Sequence, residues 1–187
     1  VCAGAFWYYR LVNMSPYPDG DERIPDFLIF YDRGESTIMC GFVGYLPGTN
    51  RAYNDEATIQ EMMDTIRHRG PDSGGYHVAE GAVLGFRRLT IIDLSDAGNQ
   101  PLYDESGRYT LVFNGEIYNH KEIRAALEQK GYHFKSHTDS EVLVHGYAEW
   151  REGILDRVRG MFAFAIWDEQ EQSLFLARDI FGIKPLY

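Results

Sequence analysis

Hydrophobic and polar positions alternate between two periods from residue 40 onward, and each stretch marks an element. Residues 41–46 (G-F-V-G-Y-L) form a short apolar run and predict a buried strand. Ile59, Met62, Met63 and Ile66 recur at helical spacing and predict an amphipathic helix over 56–67. Gly and Pro punctuate H-R-G-P-D-S-G-G at 68–75, which reads as a loop. Strands are expected over 82–87 and 109–114. A helix is expected over 121–129, with Asn119 as its N-cap and Gly131 beyond its end. Thr138-Asp139-Ser140-Glu141 has the spacing of a capping box and predicts a helix running to about residue 150. Residues 160–168 and 173–179 read as two strands joined by a polar connection at 169–172. The run M-F-A-F-A-I-W within the first of them is apolar on both faces, as in a strand covered by a layer on each side. Periodicity alone therefore gives a mixed α and β layered domain, two packed sheets with helices outside.

Residues 1–38 break this regularity. They are rich in aromatics, contain P-Y-P-D-G-D, and sustain neither period. Three origins fit them: a poorly ordered extension, a cleaved propeptide, or sequence upstream of a start at Met39. The third is favoured, because the residues D-R-G-E at 32–35 can be encoded by a purine-rich stretch of the kind that precedes a start codon. The expected division is an extension at 1–38, unstructured or absent from the mature protein, and one domain at 39–187. The F-G-I-K-P-L-Y end carries no polar tail and reads as cut short of further sequence.

Composition narrows the classes. Hydrophobic residues make up 44% of 187 and charged residues 25%, ordinary for a globular domain with a full core. The formal net charge is −10, and such a surface repels phosphate backbones, so nucleic acid is not expected as a partner. The apolar run at 161–167 falls far short of the roughly 18 residues of a membrane span. The two cysteines, Cys2 and Cys40, do not make a disulfide framework; they suit a reducing cytoplasm.

Metal-site spacings such as C-x-x-C and H-E-x-x-H do not occur, nor does G-x-G-x-x-G or a Walker loop. D-S-G-G at 72–75 has the wrong order and flanks for a phosphate loop and reads as a turn. Cys40 stands out. A lone cysteine is usually a small buried hydrophobe, but Cys40 follows Met39 directly. Removal of that methionine would expose an α-amine with a reference pKa of about 7.7–8.0. Such an amine can take the proton of its own residue's thiol, an arrangement that N-terminal threonine enzymes also use.

Eight motifs follow in order: M-C-G-F-V-G-Y, H-R-G-P-D-S-G-G, R-R-L-T-I-I-D-L, N-Q-P-L, F-N-G-E-I-Y-N, T-D-S-E, G-M-F-A-F-A-I-W-D and R-D-I-F-G-I-K-P-L-Y. Together they resemble the glutaminase domain of glutamine-hydrolysing asparagine synthetases, class II amidotransferases of the N-terminal-nucleophile type. The resemblance covers 39–187 and implies an α+β fold, a four-layer αββα sandwich. It implies that Cys40 attacks the carboxamide of glutamine, with the Asn114 side chain and the Gly115 N–H as oxyanion hole. It further implies that Arg88 pairs with the α-carboxylate and Asp139 with the α-ammonium, that Glu116 contributes to the same polar end, and that backbone near Ile91 and Ile92 assists. For each residue a plainer reading stands beside these: Arg87 and Arg88 as a solvated pair of which only one can face a site, Asp139 as a first-turn acid, Asn114 as a turn former. His68, Arg69 and Asp72 are expected to shape their loop rather than to react.

The resemblance places no metal or cofactor in this chain. It implies ATP and Mg²⁺ for a C-terminal synthetase domain that the chain lacks, and a homodimer for the full-length protein. The strand pair at 161–178 and the end of the chain are expected to carry an apolar surface that such a domain would cover. Two other functions compete: an amidotransferase for an antibiotic, cell-envelope or amino-sugar acceptor, and an inactive glutamine-binding module with a blocked N-terminus.

Overall fold

The computed structural model describes residues 7–12, 40–47, 55–89 and 98–187, the first of these as backbone only. It contains eight strands: β1 (Trp7–Val12), β2 (Gly41–Tyr45), β3 (Ser73–Val78), β4 (Val83–Arg88), β5 (Leu102–Tyr103), β6 (Tyr109–Ile117), β7 (Gly160–Asp168) and β8 (Ser173–Arg178). Three α-helices accompany them: α1 (Asp55–Thr65), α2 (His120–Glu128) and α3 (Glu141–Trp150). One sheet has the order β1-β8-β7-β6-β5 and the other β2-β4-β3, and every pairing is antiparallel.

Three apolar layers glue four structural ones. Val43, Tyr45 and Val83 meet Ile59, Met63 and Ile66 between the small sheet and the α1 segment. Phe42, Leu84 and Phe86 meet Val112, Ala163, Ala165 and Trp167 between the sheets. Leu111, Phe113, Phe162, Phe164 and Ile166 meet Ile123, Leu127, Val142 and Tyr147 under α2 and α3. The result is the expected αββα sandwich. It follows from the two-residue alternation of β7, which sends Ala163, Ala165 and Trp167 to one core and Phe162, Phe164 and Ile166 to the other.

Five expectations need correction. Residues 73–78 form strand β3 rather than a loop, paired with β4 over its full length. Thr138 does not cap α3: Ser140 occupies the cap without a side-chain bond. Glu141 instead turns its carboxylate back onto the N–H groups of Lys135 and Ser136. Within 1–38, residues 7–12 form a strand that pairs with β8; the rest of that segment lies outside the described residues. The strand pair at 161–178 is not an open apolar surface, since β7 and β8 are buried, and the exposed apolar side chains follow it: Ile180, Phe181, Ile183 and Tyr187. Asn119 does precede α2, but its side chain bonds the backbone of Arg157 and Arg159 instead of capping.

Asp179 ends β8 and gathers the chain that follows. Its Oδ1 accepts from the N–H groups of Phe181 and Ile183, and its Oδ2 from those of Lys184 and Phe162. No described helix is long and apolar enough to cross a membrane.

Candidate active site

Cys40 leads into β2 at the gap between the sheets, partly buried against the inter-sheet core. Its thiol is held by the backbone of a single residue: Leu89 N–H donates to Sγ (3.3 Å), and the thiol donates to Leu89 C=O (3.4 Å). Burial raises the thiol pKa above its ordinary value of 9.0; the bond from Leu89 and the charges of Arg88 and Arg69 oppose this without reversing it. The thiol is therefore neutral near pH 7 and needs a base to become a nucleophile. Arg69 Nη2 donates to Cys40 C=O (3.4 Å), so the buried arginine of H-R-G-P-D braces the backbone of Cys40.

Arg87 and Arg88 point opposite ways, as neighbours on a strand must. Arg88 shares the face of Leu84 and Phe86, which line the inter-sheet core, and is buried. Its Nη1 donates to Asn99 Oδ1 (2.7 Å), which also accepts from Ser73 Oγ (3.1 Å). The Arg88 guanidinium and the Thr138 methyl both lie against Gly98, so the cation comes to rest beside the T-D-S-E turn.

β6 supplies the next part. Val112 faces the inter-sheet core, so Asn114 and Glu116 lie on that same side, the side of β2 and Cys40. Asn114 is only 4% exposed, yet its Oδ1 has no hydrogen-bond partner. A buried amide in that state is costly and rare, and it suits a site that awaits a ligand. Glu116 is exposed, at the mouth of the gap.

The backbone of β6 is equally informative. Opposite Gly115 lies Phe162, whose N–H and C=O are both bonded to Asp179. Gly115 therefore turns its own N–H and C=O toward the other edge of β6, together with Phe113 and Ile117. On that edge the Gln100 side chain takes both backbone groups of Phe113, and Asp139 Oδ2 takes the N–H of Ile117 (2.6 Å). Gly115 lies between these two braces. Only glycine fits: its φ is +154°, and an added Cβ would lie 2.2 Å from Met161 O.

Asp139 is buried, which raises its pKa above the ordinary 3.8, while the Ile117 N–H and the nearby His120 favour the anion. The turn that presents it is anchored by Glu141. Its carboxylate accepts from Lys135 N–H (2.8 Å), Ser136 N–H (2.8 Å) and Ser136 Oγ (2.6 Å). Ser136 Oγ in turn contacts Thr138 Oγ1 (2.8 Å).

Burial alone would raise the Glu141 pKa, but His145 and these donors outweigh it and hold it at about 2, below the ordinary 4.5. Asp168 behaves alike outside the site: burial opposes, while Arg108, the Glu171 N–H and Arg151 bring it to about 2 from 3.8. A depressed folded pKa stabilises the native state above the unfolded value and loses that stabilisation as pH falls through the folded one. Stability should therefore decline between about pH 4.5 and about pH 2. Thermal melts followed by circular dichroism should show a shallower decline for Glu141→Gln, with a lower melting temperature at pH 7; a parallel decline would assign the acid sensitivity elsewhere.

The structure thus places Cys40, Arg88, Asn114 and Glu116 on the inter-sheet side, Gly115 between the last two on β6, and Asp139 at the edge of β6 on the Ile117 N–H. Ile91 and Ile92 lie outside the described residues. Sequence reasoning missed Asn99 and Gln100, although N-Q-P-L had been noted as a motif, and it gave Glu141 only a cap. Their partners lie 5 to 13 residues away or on another strand, beyond the reach of any local period.

Residues 39–187 match the glutamine amidotransferase domain family. Glutamine-hydrolyzing asparagine synthetase 1 of Bacillus subtilis is 49% identical over 152 residues, 80% of this chain and 24% of the relative. A second B. subtilis asparagine synthetase, number 3, is 37% identical over 151 residues, again 80% and 24%. A putative asparagine synthetase of Mycobacterium bovis is 44% identical over 164 residues, 80% and 25%. The chain spans about a quarter of the length of these curated relatives. With four layers, a thiol held in the gap between the sheets and a family match across 39–187, this chain belongs to the glutamine amidotransferase domain family.

Proposed function

We propose that this domain hydrolyses glutamine to glutamate and ammonia, with Cys40 as an N-terminal nucleophile. The observation that carries the reading is the buried Asn114 amide, its Oδ1 without a partner, on the face of β6 that looks toward Cys40. Around it stand a cation and an anion, Arg88 and Asp139, brought close through Gly98 and Thr138. An α-amino acid offers the complementary pair, and a guanidinium suits its planar carboxylate. Asp139 keeps Oδ2 on Ile117 and has Oδ1 for the α-ammonium, with Glu116 at the exposed end of the same polar region.

In this reading the Cys40 α-amine takes the thiol proton as sulfur bonds to the side-chain carbonyl carbon. Asn114 Nδ2 and Gly115 N–H receive the oxyanion. The tetrahedral species collapses, the C–N bond breaks, and the proton held by the α-amine leaves with ammonia. Water, deprotonated by the same amine, then cleaves the γ-glutamyl thioester and restores the thiol.

The relatives' names support a further step for the whole protein. Ammonia would pass to a fused synthetase region that amidates aspartate with ATP and Mg²⁺, in a cytoplasmic enzyme that assembles as a homodimer. The exposed Ile180, Phe181, Ile183 and Tyr187 offer that region an apolar surface.

Glutamate release by protein expressed from Met39, its N-terminus checked by intact mass, tests the proposal. Turnover is expected when Cys40 is the first residue and is expected to be lost when any residue precedes it, because the base is then an amide. A folded protein beginning at Cys40 that binds glutamine without releasing glutamate would instead favour the binding-module reading.

A further inference from the structure

The N-Q-P-L segment takes no part in the reaction as written, yet it touches both ends of the substrate site. Asn99 Oδ1 accepts from Arg88 Nη1, and Gln100 occupies both backbone groups of Phe113, the residue before Asn114. We propose that Asn99 and Gln100 are positioning residues: Asn99 aims the Arg88 guanidinium, and Gln100 keeps the β6 edge open at Gly115. The inference rests on the roles given above to Arg88 and Gly115.

The argument for Gln100 is one of register. β5 pairs Leu102 with Leu111 and Tyr103 with Thr110. Continued backward in step, that ladder would set residue 100 opposite Phe113 and residue 98 opposite Gly115. The backbone of residue 98 would then cover the Gly115 N–H. The chain does not continue so. Gln100 meets Phe113 with its side chain, donating from Nε2 to Phe113 C=O (3.1 Å) and accepting the Phe113 N–H on Oε1 (2.6 Å). Its backbone is thereby released from the ladder, and Gly98 runs to Arg88 and Thr138, where a Cβ would come within 2.7 Å of Arg88 Nη2. A side chain that ends the ladder satisfies β6 at Phe113 and leaves the next inward rung to the oxyanion.

The argument for Asn99 is one of charge. A guanidinium has five donors in a fixed plane. A neutral acceptor on Nη1 fixes that plane without itself adding a counter-charge. Asn99 is itself fixed by Ser73 Oγ. An aspartate in its place would keep the geometry and set a carboxylate of this chain against the guanidinium.

The test uses glutamate-release kinetics on protein beginning at Cys40, with glutamine as the varied substrate. Asn99→Asp should raise KM about tenfold or more and leave kcat within about twofold. Gln100→Glu keeps the acceptor for the Phe113 N–H and loses the donor to its C=O; it should lower kcat about tenfold and leave KM within about twofold. Gln100→Met, which has neither group, should lower kcat further, and melting curves identify any variant that fails to fold. Arg88→Ala should raise KM, and Asn99→Asp added to it should raise KM no more.

Crossed effects of this kind would establish the two roles. KM and kcat that shift together in both variants, in step with melting temperature, would reduce the segment to a structural part and overturn the proposal. An Arg88→Ala protein with raised KM beside an Asn99→Asp protein with normal KM would overturn the Asn99 role alone. An unchanged KM in Arg88→Ala would instead remove the substrate reading of Arg88, and the Asn99 role with it.

Discussion

Cys40→Ala should reduce glutamate release by about 10⁴-fold or more while the protein stays folded. The variant deletes only the sulfur. Its α-amine, the Asn114 amide and the Arg88 and Asp139 charges all remain, so the substrate site is intact and the amine still lacks anything to activate. The thiol sits partly buried against the inter-sheet core rather than within the core itself. Its removal should cost on the order of 1 kcal/mol or less. Steady-state assay and circular dichroism on the same preparation separate chemistry from folding. Turnover within about tenfold of the parent would remove Cys40 as nucleophile. The paired case, in which Met39 is retained, keeps the sulfur and lacks the amine. A neutral thiol raised further by burial finds no other base among the described residues bonded to it, which are the N–H and C=O of Leu89. Both proteins should be silent for opposite reasons.

Asn114→Ala should lower kcat about 10²- to 10³-fold, equivalent to about 2.7–4 kcal/mol, with KM changed only a few-fold. The magnitude follows from when the interaction forms. In the proposed reaction Arg88 and Asp139 would meet groups that are charged before and after the chemistry. The Asn114 amide would instead meet an oxygen that gains full charge only in the transition state. Nothing else should suffer greatly, because Oδ1 is buried without a partner, so its removal deletes a desolvated acceptor instead of stranding a donor. A protein of normal or raised melting temperature with a large kcat defect is therefore expected. A KM effect without a kcat effect would make Asn114 a ground-state contact and move the oxyanion elsewhere.

Much of this was readable from sequence. The double apolar face of M-F-A-F-A-I-W gave the buried strand β7, and adjacency of Arg87 and Arg88 limited the site to one of them, of which Arg88 shares a face with the inter-sheet core. The eight motifs led to one family. β3 escaped because Gly74 and Gly75 lower strand propensity, and a six-residue pairing with β4 overrides them. Glu141 was read from its spacing to Thr138, a local rule that fails here because the Lys135–Ser136 turn folds under the helix start and meets the carboxylate first. The Gln100 clamp on Phe113 and the Asp139 bond to Ile117 join residues 13 and 22 positions apart. Only the folded sheet brings such partners together.

Asp179 ties four backbone N–H groups together with one carboxylate. Three belong to the segment that carries the exposed Phe181 and Ile183; the fourth belongs to Phe162, the residue opposite Gly115. One carboxylate thus joins the backbone around Phe181 and Ile183 to the backbone opposite Gly115, so a load on that exposed turn reaches the neighbouring strand through a single side chain.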